Sequence, residues 1–395
     1  MNELECFTEP SVTLAPTAHG SLDGVRIAVK DLIDIAGHQS SFGHARWRDT
    51  HEPSAVDAPI VAQLRAAGGT VVGTTKMDQL AYSLIGNVGE GSPPINSFDE
   101  DSYCGGSSSG SASAVAGDAA DLGVGTDTAG SIRVPAAACG LFSIRPTHGR
   151  VDTTGVVPLA PSFDVIGFFA REPGLLQQAI DVVAPAPGAT AAASTVLCPM
   201  DVWASQDTKN RSSMQAAAEQ IGSAFGASVV EADMSRFMDE SSGDLLARLQ
   251  GREIWAEHSR WVTDNIRALA DDVQQRLRRC ETLADDPLEE QGRDRQQHID
   301  YKNELFSLIP AGAIAVVPVR PRVGPLRAWT DDELLSFRVD SFRLGAPSTL
   351  AGLPQVVIPT QHDSQYVPLG LIGAPNSEEM LLRAAAALST NRSEP

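Results

Sequence analysis

The sequence predicts an α/β protein whose sheet is mixed or parallel and carries helices on its faces. Two observations lead to this fold class. Short β-branched segments alternate with helical periodicities in the first part of the chain. Apolar strand segments return after residue 313, beyond a long polar stretch of helical character. We therefore expect a single domain, 1–395, in which a helical insert at about 208–309 interrupts the α/β core.

The first part of the chain begins with a strand. The segment 25–29 is short and β-branched, and it ends at Lys30, which places this lysine at the carboxyl end of the strand. Apolar residues between 56 and 64 then recur at helical spacing, and the glycines at 68–69 end that helix. The further elements predicted are strands at 70–73, 122–125 and 141–145, and helices at about 78–85, 108–120 and 175–183.

The composition changes after 185–188. From about 208 to 309 the pattern is mostly that of long, polar, amphipathic helices, in which Ile254, Trp255, His258 and Trp261 share one face. This face favours a core or interface role over an aromatic substrate pocket. The last elements predicted are strands at 313–318, 356–359 and 368–372, and helices at about 331–344 and 377–388.

Composition excludes several classes of protein. The chain has 30 basic and 50 acidic residues, a formal charge of −20, which disfavours nucleic-acid binding. It contains no apolar run near the roughly 18 residues that span a bilayer, and its start does not resemble a signal peptide. The five cysteines and the histidines at 38, 44 and 51 show no metal-site spacing. We expect a cytoplasmic protein without metal, membrane or nucleic-acid partner, with a homodimer as the default assembly.

Residues 104–135 contain two glycine turns rich in hydroxyl side chains. Ser108 formally satisfies the G-x-S-x-G pattern of a hydrolase nucleophile elbow, but the preceding segment is polar, whereas an elbow follows an apolar strand. A phosphate-binding loop is disfavoured because no Gly-Lys-Ser/Thr follows either turn. The third chemistry pairs a serine with a lysine whose buried ammonium loses its proton and acts as a general base. Lys30 is the candidate for that base.

Three segments resemble the sequence blocks of the amidase signature family: 29–31, 105–111 and 125–135, in the family's order and at its spacing. The likeness extends from about 22 to 170 and returns at 348–359 and 368–373. Within the family, compact amidases of the indole-3-acetamide hydrolase type look most similar. The resemblance implies the amidase signature fold, in which a large mixed sheet is covered by helices.

The resemblance also assigns residue roles. Ser131 corresponds to the nucleophile, Ser107 to the bridging proton carrier that follows a cis peptide bond, and Lys30 to the base. The backbone amides of Thr128, Ala129, Gly130 and Ser131 correspond to the oxyanion hole, and Ser108 belongs with the substrate-binding residues. No cofactor or metal is implied. Asp127, Arg133, Arg145 and His148 are expected to support the structure.

The sequence departs from the family's usual pattern at several positions. Ala129 replaces a common glycine, Tyr103 and Cys104 replace the usual residues before Gly105, and Ser97 replaces a proline. These changes affect the wall of the pocket more than the three catalytic positions.

The expected function is hydrolysis of a small neutral or aromatic primary amide to a carboxylate and ammonia. Two enzymatic alternatives stay open: an amidotransferase A-type subunit, and hydrolysis of a urea-derived acid of the allophanate or carboxybiuret type. The alternative from another class is a non-catalytic partner that keeps the fold, although all three catalytic positions are present.

Overall fold

The computed structural model describes residues 3–8, 11–184, 191–362 and 365–389, so the predicted change of composition at 185–188 lies outside it. Within these ranges ten strands form one sheet in the order β2-β1-β3-β5-β4-β9-β10-β8-β6-β7. The strands are β1 Arg26–Lys30, β2 Thr70–Thr75, β3 Leu122–Asp127, β4 Phe142–Arg145, β5 Val165–Ala170, β6 Thr195–Pro199, β7 Ser228–Ala232, β8 Ala313–Pro318, β9 Gln355–His362 and β10 Gln365–Gly373.

The sheet is mixed, as the family resemblance implies. Strands β2, β1 and β3 are parallel to one another, and so are β8, β6 and β7, whereas the strands between these groups pair antiparallel. Because neighbouring parallel strands end at the same edge of a sheet, the carboxyl ends of β1 and β3 lie side by side. This edge brings Lys30 next to the end of β3.

Helices flank the sheet, which confirms the predicted α/β class. No helix in the described ranges is both long enough and apolar enough to cross a bilayer. The helices are α1 Ala45–Arg48, α2 Pro59–Ala66, α3 Ser109–Ala116, α4 Arg133–Ala138, α5 Pro173–Val183, α6 Met200–Trp203, α7 Thr208–Phe225, α8 Glu240–Asn265, α9 Asp271–Ala284, α10 Leu288–Leu308, α11 Asp331–Ala351 and α12 Glu378–Ser389.

The helix predicted at about 78–85 is wrong. The segment contains a single 3₁₀ turn, Gln79–Ala81, followed by a loop. The carboxylate of Asp78 accepts hydrogen bonds from the amides of Gly86 at 3.0 Å and Val88 at 3.1 Å, which pulls the chain back on itself. The apolar residues that suggested a helix are buried by this loop instead.

The predicted insert at about 208–309 begins with elements that belong to the sheet. Helix α7 packs on β6 and β8, and β7 forms the edge of the sheet parallel to β6. Sequence reasoning missed three strands, β5, β6 and β7. The side chains of β7 are mostly exposed and so show little apolar pattern, whereas β5 and β6 are largely buried. The helices that leave the sheet are α8, α9 and α10: α8 packs on α9, α10 and α11, and α10 also packs on α11.

The aromatic face predicted on the insert packs against the first part of the chain. Ile254 and His258 are buried, and the Trp261 indole donates a hydrogen bond to Thr50 Oγ1 at 2.8 Å. The rings of Trp261 and Trp47 lie 5.0 Å apart. These contacts agree with the core role that the spacing favours.

Candidate active site

Lys30 lies at the carboxyl end of β1 and is fully buried. Its Nζ donates hydrogen bonds to Ser107 Oγ at 2.8 Å and to Thr126 Oγ1 at 2.9 Å. Burial lowers the pKa of Lys30 to about 7, and nearby carboxylates limit this fall. A lysine with this pKa is partly neutral at pH 7, so its amine can accept a proton from a neighbouring hydroxyl.

Ser107 is positioned by the loop that Asp78 organises. The Gly106–Ser107 peptide bond is cis, as the family resemblance implies. A Cβ at position 106 would lie 1.9 Å from Asp78 Oδ2, so this position accepts only glycine. The Ser107 carbonyl accepts a hydrogen bond from the Asp78 amide at 3.2 Å. The close approach of Gly106 to Asp78 and this hydrogen bond fix the backbone at Ser107, whose side chain reaches Lys30.

Ser131 lies in the turn between β3 and α4. The carboxylate of Asp127, the last residue of β3, accepts hydrogen bonds from the amides of Gly130 at 2.8 Å and Ile132 at 3.1 Å. Gly130 has φ of +132°, a backbone conformation that side chains disfavour. The turn is therefore wound around Asp127 and presents Ser131 between two amides that are bound to the same carboxylate.

The predicted oxyanion hole needs one correction. The Gly130 amide donates to Asp127 and is not available to a substrate. Within the described ranges, the amides of Thr128, Ala129 and Ser131 make no hydrogen bond. Of the four amides that the resemblance assigns to the oxyanion hole, three therefore lack a partner within the described part of the chain.

Two buried arginines neutralise Asp127. Arg133 donates to its two carboxylate oxygens at 2.9 and 2.8 Å, and Arg145 donates to Oδ1 at 2.9 Å. Although burial favours the neutral acid, these guanidinium groups hold the pKa of Asp127 well below its usual range. Arg133 also donates to the Gly345 carbonyl at 3.0 Å, which joins this turn to α11. The supporting role predicted for these residues agrees with this network.

Ser108 takes a different position from the one predicted. Its hydroxyl donates to the Thr126 carbonyl at 3.2 Å and accepts from the Thr126 amide at 3.3 Å. Ser108 is fully buried against β3 and does not line the cleft at Ser131. Its contacts connect α3 to β3, which is a structural role, so we remove it from the substrate-binding residues.

A cleft with about 260 Å³ of empty space, part of it open to solvent, lies at Ser131. Thr128 and Ala129 line it together with residues from other segments: Ala81, Tyr82, Ser83, Leu84, Leu159, Gln250, Arg338 and Phe342. Thr128 is fixed by a 2.6 Å hydrogen bond from its hydroxyl to Asp164. The cleft is therefore bounded by residues 81–84, which we call the Tyr82 loop, and by Leu159, the Ser131 turn, α8 and α11.

Comparison with known proteins places the chain among relatives that share most of its length. A family model described as Amidase matches residues 12–184. Amidase 1 of Oryza sativa subsp. japonica is 30% identical, in an alignment that covers 94% of this chain and 92% of the rice protein. The chain belongs to the amidase signature family.

Other relatives of this chain carry the names of different activities. The A-type subunit of the glutamyl-tRNA(Gln) amidotransferase of Natronomonas pharaonis is 31% identical over 95% of this chain and 98% of its own. The solved structure of Kluyveromyces lactis allophanate hydrolase is 25% identical with a TM-score of 0.83, covering 95% of this chain and 63% of that one. The chain is thus an amidase signature hydrolase, and its relatives include amidases, allophanate hydrolase and amidotransferase subunits.

Two buried histidines of this amidase signature protein make structural contacts. His38 hydrogen-bonds to buried Asp31 at 2.6 Å, and His258 to the Pro158 carbonyl at 2.7 Å. In the part of the chain that the structure describes, no cluster of three or more His, Cys, Asp or Glu side chains could hold a metal ion.

Sequence reasoning missed eight residues that line the cleft, and three of them come from helices in the second half of the chain. Gln250, Arg338 and Phe342 lie on α8 and α11, far from the signature segments in the chain. No motif marks them, because their position depends on how α8 and α11 pack against the rest of the chain. The nearest signal was the polar helical pattern itself, which does not say which side chains face the nucleophile.

Proposed function

We propose that this enzyme hydrolyses the C–N bond of a small amide through an acyl-enzyme on Ser131, with Ser107 and Lys30 as the proton relay. The contact between Lys30 Nζ and Ser107 Oγ at 2.8 Å is the observation on which this proposal depends. The lowered pKa of Lys30, about 7, supports a neutral amine as the proton acceptor.

The first half of the reaction forms the acyl-enzyme. Ser131 Oγ attacks the amide carbonyl carbon while its proton passes to Ser107, whose own proton passes to Lys30 Nζ. The amides of Thr128, Ala129 and Ser131 stabilise the oxyanion that develops on the carbonyl oxygen. The relay then runs in reverse and protonates the departing nitrogen, so the C–N bond breaks and ammonia leaves.

The second half hydrolyses the ester. Water attacks the acyl carbon, gives its proton to the same relay, and Ser131 leaves with a proton returned from Ser107. The products are a carboxylic acid and the regenerated enzyme. No metal or redox cofactor is needed to balance either half.

Ammonia release from a panel of primary amides, carbamoyl compounds and glutamine tests the activity. Glutamine also tests the amidotransferase-type alternative. Ser131→Ala should abolish turnover, and Lys30→Met should lower kcat by at least about a thousandfold, because the base and the nucleophile act as a unit. Full activity in either variant overturns the mechanism.

Labelling with a fluorophosphonate identifies the nucleophile directly. We expect labelling of the wild type to disappear in Ser131→Ala and to persist in Ser108→Ala, whose hydroxyl bonds to the backbone of Thr126. Loss of labelling in Ser108→Ala alone would instead support a nucleophile elbow. A folded wild type that neither labels nor releases ammonia would support the non-catalytic alternative.

A further inference from the structure

A second, larger cavity adjoins the cleft at Ser131. It has about 650 Å³ of empty space, including the part open to solvent, and it lies between α8, α9, α11 and the Tyr82 loop. Tyr82, Gln250, Arg338 and Phe342 line both the cavity and the cleft. A molecule whose reacting group sits at Ser131 can therefore extend into this cavity.

The cavity is strongly basic in a protein that is acidic overall. Four arginines line it: Arg276 and Arg279 on α9, and Arg338 and Arg343 on α11. Its lining also includes one acidic residue, Asp244. The whole chain, by contrast, has 30 basic and 50 acidic residues. The positive charge around this cavity is thus local, and it surrounds a space that continues to the nucleophile.

The two outer arginines have carboxylate partners of their own. Arg279 lies 4.0 Å from Asp244, and Arg343 lies 3.8 Å from Glu240. The Arg279 side chain is 60% exposed, whereas that of Arg276 is 12% exposed. Arg279 is therefore largely solvated, and Arg343 is paired with Glu240 and with Asp340. The inner pair, Arg276 and Arg338, accounts for the remaining positive charge of the cavity.

In the part of the chain that the structure describes, the two inner arginines share a single ion pair and keep guanidinium nitrogens without hydrogen-bond partners. Both guanidinium groups face the ring of Tyr82, at 5.3 Å for Arg276 and 6.0 Å for Arg338. Arg276 pairs with Asp272 at 2.8 Å, yet its Nε and Nη2 have no hydrogen-bond partner. Within the described ranges Arg338 makes no ion pair, and its buried Nε is also without a partner. Burial, and then the charge of Arg276, lower the pKa of Arg338 to about 9.

We infer that the substrates are amides that also carry a carboxylate, which Arg338 and Arg276 bind in this cavity while the amide carbonyl lies at Ser131. The inference rests on the proposed function and names its substrate class. A carboxylate matches a guanidinium because its two oxygens accept two parallel hydrogen bonds. It would also compensate two like charges that otherwise lie close together with unused donors. This differs from the neutral or aromatic amide that the sequence favours.

A pair of isosteric substrates tests the charge. Succinamate and the uncharged ketone amide 4-oxopentanamide have the same length and differ in the terminal carboxylate. We expect kcat/KM to be at least about tenfold higher for succinamate, because hydrogen bonds to charged groups are strong. Oxamate, malonamate and glutaramate vary the distance between the two groups, and hydantoate tests a ureido acid of similar length. Equal kcat/KM for charged and uncharged amides overturns the inference.

Variants test the residues. Arg338→Gln and Arg276→Gln should each lower the ratio of kcat/KM for succinamate to that for the neutral amide by about 10- to 100-fold, mainly through KM. Arg293→Gln is the matched control, since Arg293 is an exposed residue of the insert that pairs with Glu289 on its own helix. An unchanged ratio in both cavity variants, or an equal fall in the control, contradicts the assignment.

Binding without turnover separates this inference from the proposed function. Calorimetry should detect succinamate binding to Ser131→Ala and weaker binding to Ser131→Ala with Arg338→Gln. Hydrolysis of neutral amides without preference for succinamate leaves the proposed function intact and refutes the inference. Binding that depends on Arg338, in a wild type that hydrolyses no amide, supports the anion site and refutes the proposed function.

Discussion

Arg133 and Asp127 form a two-point contact at the base of the nucleophile turn, with Nε 2.9 Å from one carboxylate oxygen and Nη2 2.8 Å from the other. The same carboxylate binds the amides on both sides of Ser131. One side chain therefore organises the turn and neutralises the guanidinium groups that surround it.

Asp127→Asn should destabilise the protein strongly. The change leaves Arg133 and Arg145 buried without a counter-charge, which costs about 3–5 kcal/mol of unfolding free energy. Urea unfolding measures this loss. Glu289→Gln, which breaks an exposed pair with Arg293, is the control and should cost at most about 0.5 kcal/mol. Similar losses in the two variants would contradict the importance of the buried network.

Gly130→Ala should disturb both folding and catalysis. The φ of +132° at this position is unfavourable for a residue with a Cβ, and the resulting strain costs about 1–3 kcal/mol. Because the adjacent residue is Ser131, we also expect kcat to fall. Gly174→Ala in α5 is the comparison, since a Cβ there meets nothing within 4 Å. Unfolding curves and ammonia release should distinguish the two; equal behaviour would exclude a special backbone requirement at 130.

The pH dependence of kcat/KM should report Lys30. The lysine must be neutral to accept a proton, so the rate should rise with pH and level off above its pKa of about 7. A rise in kcat/KM centred near pH 4 instead, or a rate that does not fall at acid pH, would contradict the assignment of Lys30 as the base.

Thr126→Val should move that acid limb to lower pH. The Thr126 hydroxyl accepts a hydrogen bond from Lys30 Nζ at 2.9 Å and so favours the charged ammonium. Its removal should lower the apparent pKa by about 0.5–1 unit. Thr263→Val serves as the control, because Thr263 is exposed and its hydroxyl donates to the Ser259 carbonyl in its own helix, α8. The assignment fails if the limb stays in place or moves upward.

Lys30→Met should change how stability depends on pH. The folded pKa of Lys30 is about 7, whereas an unfolded lysine titrates at about 10.4. Between these values the unfolded chain binds a proton that the folded protein lacks, so wild-type stability rises with pH across this window. The methionine variant lacks this gain. Its stability relative to wild type should therefore be greatest near pH 6 and decline by up to about 1.4 kcal/mol per pH unit above pH 7.

Much of the catalytic centre could be predicted because it depends on local sequence. A β-branched strand ending at Lys30 and two glycine turns with serines define where those side chains leave the backbone. The structure joins Lys30 to Ser107, as the resemblance implies. Seven of the ten strands were predicted from short β-branched or apolar runs, because such runs indicate burial. The apolar runs of β5 and β6 were nevertheless missed.

The rest depends on tertiary contacts that leave no local pattern. Asp78 converts a helix-like spacing into a loop through its bonds to two distant amides. Asp127 takes the Gly130 amide, which the signature alone assigns to the oxyanion hole. The basic cavity is lined by residues from three helices and a loop. No segment of the sequence therefore indicates that the guanidinium groups of Arg276 and Arg338 both lie over the ring of Tyr82.

The arrangement of the two cavities has a consequence for substrate selection. Lys30 and Ser131 lie at the ends of neighbouring sheet strands, whereas Arg276 comes from α9, which supplies none of the relay. In the proposed mechanism, α9 therefore shapes the cavity and supplies none of the groups that break the bond. Substitutions in α9 should change which molecules the cavity accepts while the contact between Lys30 and Ser107 stays in place.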